Sequence, residues 1–85
     1  MSTSAPDVDP RAREIRVTED ELEVHLADGR RIAVPLAWYP RLLHATPEAR
    51  NNFELLGDGV GIHWPDVDED LSVEGILRGS RGPGA

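Results

Sequence analysis

The chain of 85 residues contains no cysteine and no lysine, and no apolar run in it is long enough to cross a bilayer. The absence of cysteine excludes disulfide bonds and thiolate metal sites. The N-terminus has no basic region followed by an apolar one, so we expect no secretory signal. Together these absences lead us to expect a cytoplasmic protein with no membrane partner.

The formal net charge is −7 and the sequence pI is about 4.7. A field of this sign does not draw the protein to nucleic-acid phosphates or to anionic membranes. A nucleic acid is therefore expected as a partner only indirectly, and a basic protein suits the chain better. All nine basic residues are arginine, which we attribute to a GC-rich genome.

Serine, proline, glycine and alanine dominate both ends of the chain. We predict a flexible tail over residues 1–12, a single domain over 13–78 and a second flexible tail over 79–85. A domain of this size has a core that is only marginally sufficient. Stabilisation by a partner or by formation of a homodimer is therefore expected to accompany it.

Alternation of apolar and polar residues over 14–26 predicts two strands joined at Glu19-Asp20. A three-residue loop, Ala27-Asp28-Gly29, pairs Val24 with Ile32 and keeps the apolar face of a third strand inward. A two-residue loop would turn that face to solvent. The pattern therefore predicts a three-stranded antiparallel meander.

Proline and glycine divide the second half of the chain, where Pro35 ends the third strand and Gly79 ends the last helix. The predicted elements are a helix over 36–45, a helix over 46–52 capped by Thr46, a strand over 53–56, a strand over 60–64 and a helix capped by Ser72. The predicted fold class is α+β: a small antiparallel β-meander plus a β-hairpin, with two or three short helices packed on one face.

Acidic residues recur at alternate positions from Asp66 to Asp70, as in the first ligands of a calcium loop. Leu71 stands where that loop needs glycine and Leu77 where it needs a bidentate glutamate, so no calcium site is predicted. The run is expected to lie before the final helix, near its positive end. A second interpretation is that the run is a docking strip for a partner rich in arginine or lysine, and the two interpretations are compatible.

No arrangement of residues predicts a catalytic, cofactor-binding or metal site. The glycines over 57–61 lack the Lys-Ser/Thr of a phosphate-binding loop and indicate a hairpin. His63 stands near carboxylates, but no nucleophile or zinc spacing accompanies it. Trp38 and Trp64 are expected to lie mostly in the core, with an interface role for part of them as the alternative. The candidate partner-binding residues are Trp38, Arg41, His63, Trp64, Asp66, Asp68, Glu69, Asp70 and Glu74.

Four motifs give the chain a family resemblance: Leu36-Ala-Trp-Tyr-Pro-Arg-Leu, Ala45-Thr-Pro-Glu, Gly61-Ile-His-Trp-Pro and Asp68-Glu-Asp-Leu-Ser-Val-Glu. Over roughly residues 16–77 the sequence resembles domain-of-unknown-function family 2442, a bacterial family of uncharacterised proteins. The resemblance implies a small α+β domain. Many relatives are encoded beside another short protein, so the resemblance also implies an antitoxin-like role toward such a partner. Some relatives carry a helix-turn-helix domain, which implies a DNA-associated role for those proteins. It implies no catalytic residue.

The leading hypothesis is an acidic protein-interaction module, antitoxin-like, that binds a small basic protein. A DNA-associated regulator component is the first alternative, although the charge opposes it. A small enzyme or ligand-binding domain is the second, and it requires a pocket that a chain of this length can barely enclose.

Overall fold

The computed structural model describes residues 11–82, which fold into two three-stranded antiparallel sheets and three short helices. The strands are β1 (Ala12–Val17), β2 (Glu21–Leu26), β3 (Arg31–Pro35), β4 (Glu54–Leu56), β5 (Gly61–Trp64) and β6 (Glu69–Ser72). The helices are α1 (Pro40–Leu43), α2 (Pro47–Asn51) and α3 (Val73–Arg78), and 3-10 turns lie at Leu36–Trp38 and Gly57–Gly59. The α+β class is confirmed.

The first sheet has the order β1-β2-β3 and the register that the hydrophobic pattern predicts. Val24 pairs with Ile32, and the N–H of Leu26 donates to the carbonyl of Arg30 over 2.7 Å. Gly29 has φ of 99°, the left-handed conformation that a three-residue loop needs at its last position. The three-residue loop is therefore confirmed, because it keeps the apolar side chains of all three strands on one face.

The predicted caps set the limits of two helices. The Thr46 hydroxyl accepts from the N–H of Ala49 over 3.1 Å at the start of α2, and the Ser72 hydroxyl accepts from the N–H of Gly75 over 2.9 Å at the start of α3. Gly79 ends α3 with φ of 84°. Within residues 11–82, no helix is long and apolar enough to cross a membrane.

The second sheet has the order β4-β5-β6 and contains a strand that the sequence pattern did not predict. The acidic run was expected to be a loop before α3. Residues 65–68 instead form a turn in which Asp68 has φ of 53°, and β6 then pairs with β5 so that Glu69 lies opposite Trp64. The predicted hairpin is thus a three-stranded sheet, because the turn reverses the chain before the helix begins.

The core lies where the buried faces of both sheets meet the helices. Trp64 and Tyr39 are its largest fully buried side chains. The Trp64 indole N–H donates to the carbonyl of Arg50 over 3.0 Å, and the Tyr39 hydroxyl donates to the carbonyl of Ser80 over 3.1 Å. Both polar ends are thus satisfied, which burial of an aromatic donor requires.

The division into one domain and two tails stays a prediction, and residues 1–10 and 83–85 lie outside the described residues. Packing continues past the predicted limits of 13 and 78. Ala12 is buried in β1, and the N–H of Gly82 donates to the carbonyl of Trp38 over 2.8 Å. The guanidinium of Arg81 lies 4.6 Å from the centre of the Trp38 ring, a cation–π contact.

Candidate functional site

The net charge of the chain is concentrated in the segment that builds the second sheet. Residues 51–77 contain seven of the 16 acidic residues and none of the nine arginines. The rest of the chain contains nine of each, so its formal charge is zero and the segment carries the full −7. A charged molecule that comes within a Debye length, about 8–10 Å at physiological salt, therefore meets a negative field at this end of the domain.

Most of these carboxylates have no arginine beside them. The exceptions are Glu74, whose carboxylate lies 2.9 Å from the Arg78 guanidinium, and Glu69, which lies 3.8 Å from that of Arg41. Within residues 11–82 the other five form no ion pair with an arginine: Glu54, Asp58, Asp66, Asp68 and Asp70. All five are exposed, so they can pair with cations from outside the chain.

His63 lies between two of these acids on the outward face of the second sheet. It pairs across the strands with Glu54 on one side and Asp70 on the other, and its Nδ1 lies 2.6 Å from the Asp70 carboxylate. Within residues 11–82 no three histidine, aspartate or glutamate side chains are grouped to hold a metal ion. The row is open to solvent, which suits a contact surface better than acid–base catalysis, because catalysis needs an enclosed pocket.

Glu69 is the buried charged residue of the second sheet, with 4 % of its surface exposed. Burial raises its pKa, and the nearby Arg41 guanidinium opposes that shift. Arg41 gives its short hydrogen bond, 2.8 Å, to the carbonyl of Asp68 rather than to Glu69. The carboxylate also lines a cleft of about 320 Å³ that β6 shares with α3 and residues 80–82.

The burial of Glu69 predicts a stability difference that depends on pH. Its pKa is raised in the folded state, so the folded chain binds more protons than the unfolded chain above about pH 4.3 and loses stability as pH rises. Glu69→Gln removes this linkage. We expect the variant to match the wild type at pH 4 and to exceed it by roughly 1 kcal/mol at pH 7, as measured by urea unfolding.

Asp66→Asn is the control for this measurement, because Asp66 is exposed and its carboxylate accepts a hydrogen bond from the Asn52 side chain. A change in stability that both variants share would come from the lost negative charge and not from the burial of Glu69. A Glu69→Gln variant that is less stable than the wild type at pH 7 but not at pH 4 would contradict the prediction. It would mean that the attraction to Arg41 outweighs the cost of burial.

Not all predicted partner-binding residues lie at the surface. Trp64 is fully buried and Glu69 nearly so, and neither side chain can reach another molecule without rearrangement. Their role as partner contacts stays a prediction. Trp38 is half-buried under Arg81, and Arg41 is exposed but fixes the turn at Asp68. The candidates that remain exposed or half-exposed on the second sheet and its neighbours are Arg41, His63, Asp66, Asp68, Asp70 and Glu74.

The pattern search missed two acidic residues of this surface, Glu54 and Asp58. The sequence feature that could have indicated them is the lack of any arginine from position 51 to position 77. This feature is visible only when acidic and basic residues are both mapped along the chain. It also missed the exposed leucines of β4, Leu55 and Leu56. Their exposure depends on which strands lie at the sheet edge, and the sequence does not reveal that order.

The fold and this surface define a small α+β domain with one acidic sheet. The chain belongs to the family described as "Protein of unknown function (DUF2442)", which matches residues 12–82, so the family resemblance is confirmed. No curated protein matches the chain.

Two solved structures share the fold. One is the crystal structure of a protein of unknown function from Rhodospirillum rubrum, with 32 % identity and a TM-score of 0.74, covering 87 % of this chain and 92 % of that one. The other is the solution NMR structure of an uncharacterised protein, CV0863, from Chromobacterium violaceum. It has 26 % identity and a TM-score of 0.71, and the match covers 87 % of this chain and 70 % of that one.

Proposed function

We propose that this chain is a protein-interaction module whose acidic second sheet binds a basic protein. The observation that carries the proposal is the separation of charge: residues 51–77 hold the entire net charge of −7 and no arginine. An evenly spread acidic surface would serve solubility. When the negative charge is confined to one sheet, the electric field of the domain is asymmetric, and it orients an approaching basic molecule toward that sheet.

The exposure of the carboxylates and their lack of arginine partners support the same function. Five acids of the segment are exposed without an arginine partner, so a partner's guanidinium groups can pair with them without displacing an arginine of the chain. Each exposed pair contributes only about 0.2–1 kcal/mol. Several together give affinity and fast association, while a nucleic acid or an anionic membrane is repelled.

We further propose that the partner is a small basic protein whose activity is blocked by the contact, which makes the chain antitoxin-like. A domain of this size covers the active surface of a small partner more completely than that of a large one, and charge complementarity favours a basic partner. Expression of the partner alone should then slow growth of the source cells, and co-expression of this chain should restore it. Normal growth with the partner alone would remove the antitoxin part and leave the interaction module standing.

Capture from the source cells tests the proposal. The tagged full chain is purified under native conditions at low salt, its companions are identified by mass spectrometry, and the mass of the complex is measured in solution. We expect a basic protein in stoichiometric amount that about 0.5 M salt releases, because screening weakens exposed ion pairs. A free homodimer, or retained DNA without a protein companion, would contradict the proposal.

A further inference from the structure

One edge of the second sheet is open. The strand order β4-β5-β6 places β4 at an edge, and all three of its residues, Glu54–Leu56, are exposed. Within residues 11–82 the backbone of these residues pairs with β5 and with no other strand. An edge of this kind presents N–H and C=O groups that a further strand can pair with.

Apolar side chains gather at this edge. Within residues 11–82 the exposed large apolar side chains are Leu55, Leu56, Val60 and Leu77, and the first three belong to β4 and the turn after it. Natural edge strands are commonly protected by lysine, proline or a bulge. β4 is only three residues long and carries Glu54, both of which limit pairing, but it has no lysine, proline or bulge and its pairing with β5 is regular. The edge thus combines unpaired backbone groups with uncovered leucines.

The register of the sheet indicates which residue types an added strand needs opposite β4. Leu55, Ile62 and Leu71 form one cross-strand row, and this row ends in solvent at Leu55. On the opposite face, Glu54 ends the row that continues through His63 and Asp70. An apolar side chain opposite Leu55 extends the first row, and a basic side chain opposite Glu54 extends the second. Successive residues of a strand face opposite sides, so such a segment alternates basic and apolar residues.

We propose that an extended segment of alternating basic and apolar residues from the partner adds to β4 as a fourth strand. This inference rests on the proposed function and states the form in which the basic partner is recognised. Backbone hydrogen bonds supply affinity in this mode of binding, and the alternating side chains supply specificity. The acids around the edge, Glu54 and Asp58, meet the basic positions.

Charge favours this occupant over a second copy of the chain. Antiparallel pairing of β4 with its copy about Leu55 would bring two arginine-free segments together, each with formal charge −7. That pairing sets Glu54 opposite Leu56 of the copy, and residues 51–77 contain no arginine that could reduce the repulsion between the two negative segments. A basic strand removes the same repulsion on binding.

The test uses the full chain and two short synthetic peptides that contain only arginine and valine, in equal numbers. In one peptide the two residue types alternate, and in the other all the arginines precede all the valines. Both peptides have blocked ends and a fluorescent label. We expect the alternating peptide to bind at least about tenfold more tightly in an anisotropy titration at low salt.

Hydrogen exchange locates the bound peptide on the chain. Binding of the alternating peptide should slow the exchange of at least one amide among Glu54, Leu55 and Leu56 by about tenfold or more, because a paired N–H is protected from solvent. Exchange in β1–β3 should stay unchanged, since those strands lie in the other sheet.

Three results would overturn the inference. They are equal affinity for the two peptides, no binding of either, and binding that leaves the exchange of β4 unchanged. If binding is lost on neutralising Asp66, Asp68 and Asp70 while β4 stays unprotected, the proposed function stands and strand addition is wrong. A dimer whose β4 amides are already protected without peptide would assign the edge to a second copy and likewise overturn it.

Discussion

Trp64→Ala is expected to leave the domain largely unfolded at 37 °C. Trp64 is fully buried, its ring lies 6.2 Å from that of Phe53, and its indole N–H donates to the carbonyl of Arg50. Removing a buried tryptophan costs about 3–5 kcal/mol. A domain of this length has a total stability of only about 4–12 kcal/mol, and this one lies toward the lower end because its core is small.

The matched control is Trp38→Ala, which removes the same side chain from a half-buried position under Arg81. We expect a loss of about 1–2 kcal/mol there. Urea unfolding followed by far-ultraviolet circular dichroism measures both variants without relying on tryptophan fluorescence. Similar losses for the two would contradict the assignment of Trp64 to the core and of Trp38 to its margin.

Gly59→Ala is expected to cost about 3 kcal/mol or more, because it strains the backbone and forces two chain segments apart. Gly59 has φ of 95°, and a Cβ added there would lie 2.3 Å from the carbonyl oxygen of Ala12 and 3.0 Å from its nitrogen. Neither atom belongs to a flexible side chain that could move away. This close approach joins the turn after β4 to the start of β1, so the substitution separates the two sheets where they meet.

Gly79→Ala isolates the backbone part of this cost. Gly79 also has a left-handed φ, 84°, but an added Cβ would meet nothing within 4 Å. Left-handed backbone costs an alanine about 1–2 kcal/mol, so Gly79→Ala should lose that amount and no more. Thermal unfolding of both variants decides the point: equal losses would show that the contact between Gly59 and Ala12 yields without cost.

Local chemistry made the first sheet and the helix ends predictable. The register of β2 and β3 follows from the positions of Val24 and Ile32, since a two-residue loop would expose the apolar face. Thr46 and Ser72 cap their helices for a reason visible within four residues. These features depend on neighbours in sequence, which is why pattern and turn chemistry suffice for them.

β6 could not be predicted in the same way. Its sequence, Glu69–Ser72, contains acidic residues that are poor strand formers, and it follows a turn with Asp68 in the left-handed conformation. What makes it a strand is pairing with β5, and that pairing places Glu69 opposite Trp64 on the buried face. The burial of both side chains is a tertiary effect, which local sequence patterns do not reveal.

The charge separation was readable from the sequence, but its location on one sheet was not. Arginine is absent from residues 51–77, yet only the strand pairing shows that Glu54 and Asp70 flank His63 on one face. The open edge of β4 depends on the strand order, which local patterns do not reveal. The partner surface is therefore a product of the second sheet as a whole.

The most direct test of the central claim compares how much of the captured basic protein two variants retain. Asp66→Asn/Asp68→Asn/Asp70→Asn removes three of the seven negative charges of residues 51–77, and asparagine tolerates the left-handed backbone of Asp68. Glu14→Gln/Glu19→Gln/Glu21→Gln removes the same charge from exposed positions of the first sheet and its turn. At about 0.2–1 kcal/mol for each of the three lost pairs, the first variant should bind roughly 3-fold to 160-fold more weakly, and the second should stay within about twofold of the wild type. Equal weakening of both variants would mean that net charge alone holds the partner, and it would contradict a binding surface on the second sheet.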